Sequence, residues 1–376
     1  MKTVLHIIER LADFGGTPRM LLYLAAHNDR AANRLVFATY LSSPLRPAFE
    51  LHGAPVLDFN TLSLWHLVRR IIATAREMRA DVICTHFTRP LLAGFFASRL
   101  TARPLIHNEH SSAHYRTGWG RRLAQLCLPF ADAVICNSRY TARSIAYAYR
   151  IAPDRLYVLY NPVEERQLSQ PREHLREQLS FGAGDLVIGH VGGMISTRDQ
   201  VTLLKAFREI QRQHPNSHLV LIGDGPLRGA LELLAQQLCI SDHVHFIGYT
   251  AQVGDYLAAM DIYVNTTLDE GFGIAVVEAM LAGLPVVLAD AGAHPELITD
   301  GVHGVLYPGG DAMRLAYSIL ELIDQPEKRR RLGDAARESA RARFAPQHYV
   351  SGYDAIIGDV LLQPEKRRLR TQKRSQ

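Results

Sequence analysis

The sequence predicts an α/β protein built from two parallel-sheet domains in tandem. Three observations carry this reading. Short apolar runs alternate with amphipathic stretches from end to end. The alternation breaks once, in a polar segment near the middle. At 376 residues the chain is too long for one ordinary domain and suits two of roughly 150–200 residues. Composition agrees: 47% hydrophobic and 21% charged residues are ordinary globular values, which excludes disordered and collagen-like classes.

In the first half the strand candidates are 4–8, 35–39, 56–59, 81–85, 104–108, 133–136 and 156–160. Helical stretches at 62–79, 91–100 and 141–149 lie between them. Continuous apolar strands bounded by turns and alternating with helices indicate a parallel sheet covered on both faces. The opening MKTVLHIIERLAD has a short apolar run broken by His6 and Glu9, with no small-residue cleavage site. It reads as a first strand and not as a signal peptide.

After Asn161-Pro162 the texture turns polar, and 163–185 reads as a linker, with Pro171 and the pair Gly182/Gly184. Alternation restarts with strands at 186–190, 219–223, 244–247, 262–265 and 286–289 and helices near 201–213 and 227–238. No uncharged, proline-free run of 18 apolar residues occurs, since the closest, 272–289, contains Glu278 and Pro285. A transmembrane helix is therefore not expected.

Four cysteines, Cys84, Cys127, Cys136 and Cys239, lie far apart with no C-x-x-C. This argues against a disulfide framework or a cysteine zinc site and favours a reducing compartment. Charge is uneven: residues 1–165 carry a balance of +8, residues 166–363 of −8, and the tail 364–376 of +5. Either the halves meet different partners, or the balance has drifted and the tail aids solubility.

In open α/β sheets ligands sit beyond the carboxyl ends of the strands, so chemistry is sought just after them. Gly15-Gly16-Thr17-Pro18 follows the first strand and permits a tight turn with exposed N–H groups at a helix start, a setting that binds anions. Gly223-Asp224-Gly225-Pro226 with Gly229 imitates a dinucleotide fingerprint but is one residue too long, so a tight turn near a nucleotide is expected there. Glu270-Gly271-Phe272-Gly273-Ile274 leads into Glu278. The two glycines let backbone amides approach a ligand, and the eight-residue step between the glutamates is about two helical turns. Glu278 lies among Ile274, Val276, Val277, Ala279 and Met280, where a carboxylate is costly unless it is paired.

The E-x7-E element Glu270 to Glu278, continuing as EAMLAGLPVV, resembles the signature of family 4 of the glycosyltransferases. Further stretches also resemble that family: HLVLIGDGPLR, VHFIGY, DIYVNTTLDEGFG and GAHPELITDGVHGVLYPGGD in the second half, and FGGTPRMLL, RADVICTHF, NSRYTARSI and VLYNPVE in the first. The resemblance implies the GT-B fold, two Rossmann-like domains facing across a substrate cleft. It implies an acceptor-binding domain over 1–165, a nucleotide-sugar-binding domain over 166–346, a helix at 347–363 crossing back to the first domain, and the basic tail 364–376.

The activity it implies is retaining transfer of a hexose from a nucleotide diphosphate sugar to a glycan or lipid-linked acceptor, in cell-surface polysaccharide or glycolipid synthesis. No metal or cofactor is expected, and the sequence has no D-x-D, the usual acidic pair of metal-dependent transferases. By resemblance Glu270 binds sugar hydroxyls and Glu278 the ribose hydroxyls, for which a carboxylate is a suitable acceptor. Gly15, Gly16, Gly271, Phe272, Gly273 and Ile274 complete the implied donor site. In the family a GRLxxxKG segment neutralises the diphosphate; here it reads VGGMISTRD, with Arg198 at the lysine position and Gly193 where the arginine is expected. A P-V-V-x-T-x-H pattern places a histidine near the transferred sugar, and Pro104-Leu105-Ile106-His107-Asn108-Glu109-His110 aligns His110 with it and His107 close by.

With no evident carboxylate nucleophile in the first half, a front-face mechanism is the default, the leaving phosphate oxygen taking the acceptor proton. Two rivals remain: a non-catalytic nucleotide-sugar binder, favoured by Gly193, and a GT-B sugar-nucleotide epimerase. The expected setting is cytoplasmic, with a peripheral hold on an anionic inner leaflet and no nucleic-acid partner. The arginines Arg69, Arg70, Arg76 and Arg79 and the tail are the membrane candidates, while Trp65 and its apolar neighbours are expected to pack on the sheet.

Overall fold

The computed structural model describes residues 1–12 and 15–362. Met1–Pro162 with the last helix, Pro346–Leu362, forms one compact unit, and Val163–Ala345 forms the other. The tail 364–376 lies outside the described residues.

The first unit holds seven strands: β1 (Lys2–Ile8), β2 (Asn33–Thr39), β3 (Val56–Asp58), β4 (Val82–His86), β5 (Leu105–Glu109), β6 (Ala133–Cys136) and β7 (Leu156–Val158). All pair in parallel, in the order β3-β2-β1-β4-β5-β6-β7. Side chains alternate across a strand, so β1 sends Leu5 and Ile7 to one core and Val4 and Ile8 to the other. The first core is covered by the helices Leu64–Glu77 and Thr88–Thr101. The second is covered by the last helix, which buries Tyr349, Tyr353, Ile357 and Val360 at helical spacing.

The second unit holds β8 (Leu186–Val191), β9 (Ser217–Ile222), β10 (Val244–Gly248), β11 (Ile262–Asn265), β12 (Val286–Ala289) and β13 (Val305–Tyr307). They too are parallel, ordered β10-β9-β8-β11-β12-β13. In both sheets the order in which strands are added reverses between the first strand and the fourth. That reversal opens a crevice beyond the strand ends, where such sheets bind ligands.

Two expectations are corrected. The segment 163–185 contains a helix, Arg172–Gln178, packed on the second unit. Arg172 and Arg176 both bind Asp261, at 2.6 and 3.2 Å, and Arg176 also donates to the carbonyl of Asp185 at 2.6 Å. A polar segment is a linker only if its charges face water, and the partner here lies more than eighty residues away in sequence. Trp65 does not pack on the sheet: Leu67, Val68 and Ile71 are buried while Trp65 is 67% exposed, lying against Phe96 with ring centroids 6.0 Å apart.

No helix among the described residues is long and apolar enough to cross a membrane. All four cysteines are free.

Candidate active site

In the second unit the loops after β8 and β11 flank the sheet's reversal point. The first runs through a short turn, Ser196–Arg198, and Asp199 adopts a left-handed φ of 49° before the helix Gln200–Gln213. The two loops are stitched together. Thr266 Oγ1 donates to the Arg198 carbonyl at 2.7 Å, and the Leu268 amide donates to the Thr197 carbonyl at 3.1 Å.

This brings Arg198 and Glu270 into a direct ion pair, 72 residues apart in sequence. Arg198 Nη1 also donates to Thr267 Oγ1 at 3.2 Å. The glutamate is held from behind, since the Ala293 amide donates to its carbonyl at 2.9 Å. Gly292 lies so close that a Cβ there would come within 2.5 Å of the Glu270 nitrogen. Gly273, at φ 94°, caps the helix Ile274–Leu281 and leaves its first amides unpaired within the helix. Phe272 is 2% exposed and meets the Phe344 ring at 5.5 Å, so its side chain belongs to the core and only its backbone borders the loop.

The glycine pair after β9 serves packing. A Cβ on Gly223 would sit 2.2 Å from the Gly192 carbonyl oxygen, and one on Gly225 would sit 2.5 Å from that of Met194. The turn thus allows two loops to touch, as expected of a tight turn. Gly193 has room, its nearest neighbour being the Asp224 carbonyl oxygen at 3.7 Å.

Glu278 is buried and does not stand unpaired. Arg166 donates to its Oε1 from Nε at 3.0 Å and from Nη2 at 2.7 Å. Both glutamates act on the buried phenol of Tyr263, which burial holds well above its usual range. Three further side chains surround the pair and escaped the sequence reading. His190 lies under the loop, its Nδ1 3.0 Å from the Val264 carbonyl oxygen, and burial lowers its pKa to about 4. Gln200 donates to the Gly193 carbonyl at 3.0 Å. His294 is fully buried with Nδ1 2.8 Å from the Ala289 carbonyl oxygen, and burial lowers its pKa as well. In the sequence GAHPELI stands only as part of a longer motif, and Arg166 carries no signal, because its partner lies 112 residues away.

In the first unit His110 follows β5, and the Asn137 side chain donates to its carbonyl at 3.0 Å. His107, on β5, is fully buried with Nδ1 2.9 Å from Thr85 Oγ1. Glu109 is paired with Arg116, and although burial pushes its pKa up, the guanidinium wins and holds it at about 2. That carboxylate is occupied. Gly15, at φ 93°, precedes the helix Gly16–His27. Pro18 is the third residue of that helix, still in the turn whose N–H groups lack internal partners.

Comparison with known proteins decides the family. Residues 14–167 match the model described as Glycosyltransferase Family 4, and residues 171–339 match Glycosyl transferases group 1. The chain belongs to the family 4 type of glycosyltransferases. Structures of HepE from Anabaena share the two-sheet GT-B fold of this chain. The complex with UDP is 27% identical at a TM-score of 0.83, covering 96% of this chain and 100% of the other. The complex with UDP-glucose is 26% identical at a TM-score of 0.83, covering 95% and 99%.

Among curated relatives, N-acetyl-alpha-D-glucosaminyl L-malate synthase of Bacillus anthracis is 29% identical over 55% of this chain and 54% of its own length. D-inositol 3-phosphate glycosyltransferase of Xylanimonas cellulosilytica is 27% identical over 86% and 84%. The match spans about half the length of the first two curated relatives, 54% and 47%.

Proposed function

We propose that the protein transfers a hexose, with retention of anomeric configuration, from a nucleotide diphosphate sugar to a glycan or lipid-linked acceptor. The observation that carries this is the Arg198–Glu270 ion pair, set at the reversal point of the second sheet beside an amide-rich helix start. A guanidinium and oriented amides stabilise charge that develops on a leaving diphosphate. A carboxylate held by that guanidinium is positioned to accept from sugar hydroxyls.

In this reading Arg198 neutralises the leaving phosphate and Glu270 orients the sugar. Glu278 accepts from the ribose hydroxyls, with Arg166 holding it in place. The backbone of Gly271, Phe272, Gly273 and Ile274 meets the donor, Gly15 and Gly16 approach its phosphates, and His110 contacts the transferred sugar. Glu109 is tied to Arg116, which supports front-face transfer in preference to a carboxylate nucleophile. Metal independence follows the missing D-x-D. Synthesis of a cell-surface polysaccharide or glycolipid at the inner face of a membrane is the proposed setting. HepE is described in complex with UDP-glucose, which makes that the first donor to test.

The test incubates the protein with a panel of nucleotide sugars, UDP-glucose included, and follows thermal shift, nucleotide release and product configuration. Binding with slow nucleotide release and an anomerically retained product supports the proposal. Binding without any release points to a pure binder, conversion of the sugar without acceptor points to an epimerase, and an inverted product rejects retention. Activity lost in EDTA and restored by magnesium or manganese rejects metal independence.

A further inference from the structure

Five side chains of the first unit form one hydrogen-bonded line across the face of its sheet that the last helix covers. His110 Nε2 lies 3.0 Å from His86 Nδ1, at the end of β4. His86 Nε2 lies 3.1 Å from His6 Nδ1, on β1. His6 Nε2 lies 3.3 Å from the Tyr353 hydroxyl on the last helix, and that hydroxyl lies 3.0 Å from Cys84 Sγ. The rings are nearly parallel, 14° apart for His86 and His110 and 15° for His6 and His86, and their centroids, 5.3 and 5.4 Å apart, fit rings joined edge to edge by these bonds. His6, His86, Cys84 and Tyr353 are completely buried.

A neutral imidazole has one N–H and one bare nitrogen. His6 and His86 each use both nitrogens in the line, so each donates on one side and accepts on the other. Choosing the proton position on one ring therefore sets it on the next. Burial keeps the rings neutral, lowering His6 to about 3, His110 to about 4 and His86 well below its ordinary value. The end of the line sets the direction. A phenol is a stronger donor than an imidazole N–H, and an imidazole nitrogen is a stronger acceptor than a phenol oxygen. Tyr353 O–H then donates to His6 Nε2, His6 Nδ1–H to His86 Nε2, and His86 Nδ1–H to His110 Nε2. The thiol of Cys84 completes the line by donating to the Tyr353 oxygen.

We infer that Tyr353, His6 and His86 are positioning residues that lock His110 as its Nδ1–H tautomer, which makes that N–H the ring's donor toward substrate. The last helix, which the chain reaches only after completing the second unit, thereby takes part in setting a side chain at the end of β5. The relay itself stands on the hydrogen bonds alone; its kinetic consequence rests on the reading of His110 as a sugar contact.

The experiment compares histidine ring ¹⁵N shifts and UDP-glucose turnover in the full-length wild type, Tyr353→Phe and His86→Phe. In the wild type, His110 is expected to show a protonated Nδ1 and a bare Nε2. Tyr353→Phe removes one oxygen atom, keeps the ring and preserves the fold. Both line polarities then become accessible, and the His110 nitrogen shifts average between the two tautomers. His86→Phe keeps an aromatic ring but removes both bonding nitrogens, and should give the same averaging.

If half the molecules hold the competent tautomer, kcat/KM for UDP-glucose falls about twofold in Tyr353→Phe. A wild-type His110 protonated at Nε2, or a single Nδ1–H tautomer surviving in Tyr353→Phe, overturns the relay. Averaged tautomers with unchanged turnover leave the relay standing and overturn the substrate-facing role of His110.

Discussion

Arg166 grips Glu278 through two nitrogens, Nε at 3.0 Å and Nη2 at 2.7 Å, both on the same oxygen, Oε1. The carboxylate is thus held at one edge within an otherwise apolar helix. Removing either partner leaves a charge in a poorly solvated place. Breaking a buried pair costs about 3–5 kcal/mol, and Arg166, with 21% of its side chain exposed, should fall at the low end of that range. Glu278→Ala and Arg166→Ala should each lower the thermal midpoint, with a double mutant well short of additive. Donor affinity in Glu278→Ala should also fall, by roughly 1.5–3 kcal/mol for a lost charged hydrogen bond. Calorimetry showing unchanged donor affinity would contradict the ribose role.

Glu270→Ala should abolish transfer and leave the fold intact, because its side chain sits on a loop and meets Arg198, not the core. Gly292→Ala offers a second approach to the same residue. Its φ of 58° and a Cβ 2.5 Å from the Glu270 nitrogen would push that loop out of place. Overpacking of this kind costs about 1–3 kcal/mol, so the variant should be both less stable and less active. Wild-type transfer rates in Glu270→Ala would remove it from the site.

Charge near the leaving phosphate should matter more than shape at Arg198. Turnover is expected to fall further in Arg198→Ala than in Arg198→Lys, and full activity in the alanine variant would reduce Arg198 to a surface residue. The family's second cation can be restored, because the space at Gly193 is open to 3.7 Å and its φ is not left-handed. Gly193→Arg should keep stability within about 0.5 kcal/mol and raise kcat/KM for the donor. Steady-state kinetics showing a loss instead would mean that the loop uses this glycine for something other than space.

Acid should destabilise the protein in two stages. His6, His110 and His190 titrate near 6.5 when unfolded but at about 3, 4 and 4 when folded, because burial disfavours the cation. Below about pH 6.5 the unfolded chain therefore binds more protons, and stability falls as pH falls, by about 1.4 kcal/mol per pH unit for each such histidine. Glu109, held at about 2 against a usual 4.5, keeps its contribution until the pH drops below that upper value. Thermal midpoints should be level above about pH 7 and decline steeply toward pH 5. A midpoint that stays level across that interval would show that these rings are not held neutral.

Outward-facing Trp65 changes the membrane expectation. With the exposed Arg69 and Arg70 on the same helix, it offers an apolar and a cationic contact together. Co-sedimentation with anionic vesicles should be strong at low salt, weaken in Arg69→Ala/Arg70→Ala, and lose its salt-resistant part in Trp65→Ala. No binding at low salt would end the membrane proposal.

Local pattern made the architecture legible before any coordinates. A parallel strand buried on both faces has to be a short apolar run, and a helix over it has to show a helical stripe, so the alternation alone predicted two wound sheets. The loop from Glu270 to Gly273 stands out as a candidate because it follows a strand and carries two glycines, whereas Arg198 is a candidate only through the resemblance of its segment to the family's diphosphate-binding stretch.

Pairing was decided only by the tertiary structure. Arg198 reaches Glu270 because β8 and β11 are neighbours although two strands intervene in sequence. Arg166 reaches Glu278, and Arg172 and Arg176 reach Asp261, across gaps of 112, 89 and 85 residues. His6, His86 and His110 line up because β1, β4 and β5 are adjacent, and Tyr353 joins them because the last helix covers that face of the sheet. A charge or an imidazole has no period that announces its partner. Its environment comes from strand order and from which face a side chain takes, and both arise only when the whole sheet is assembled.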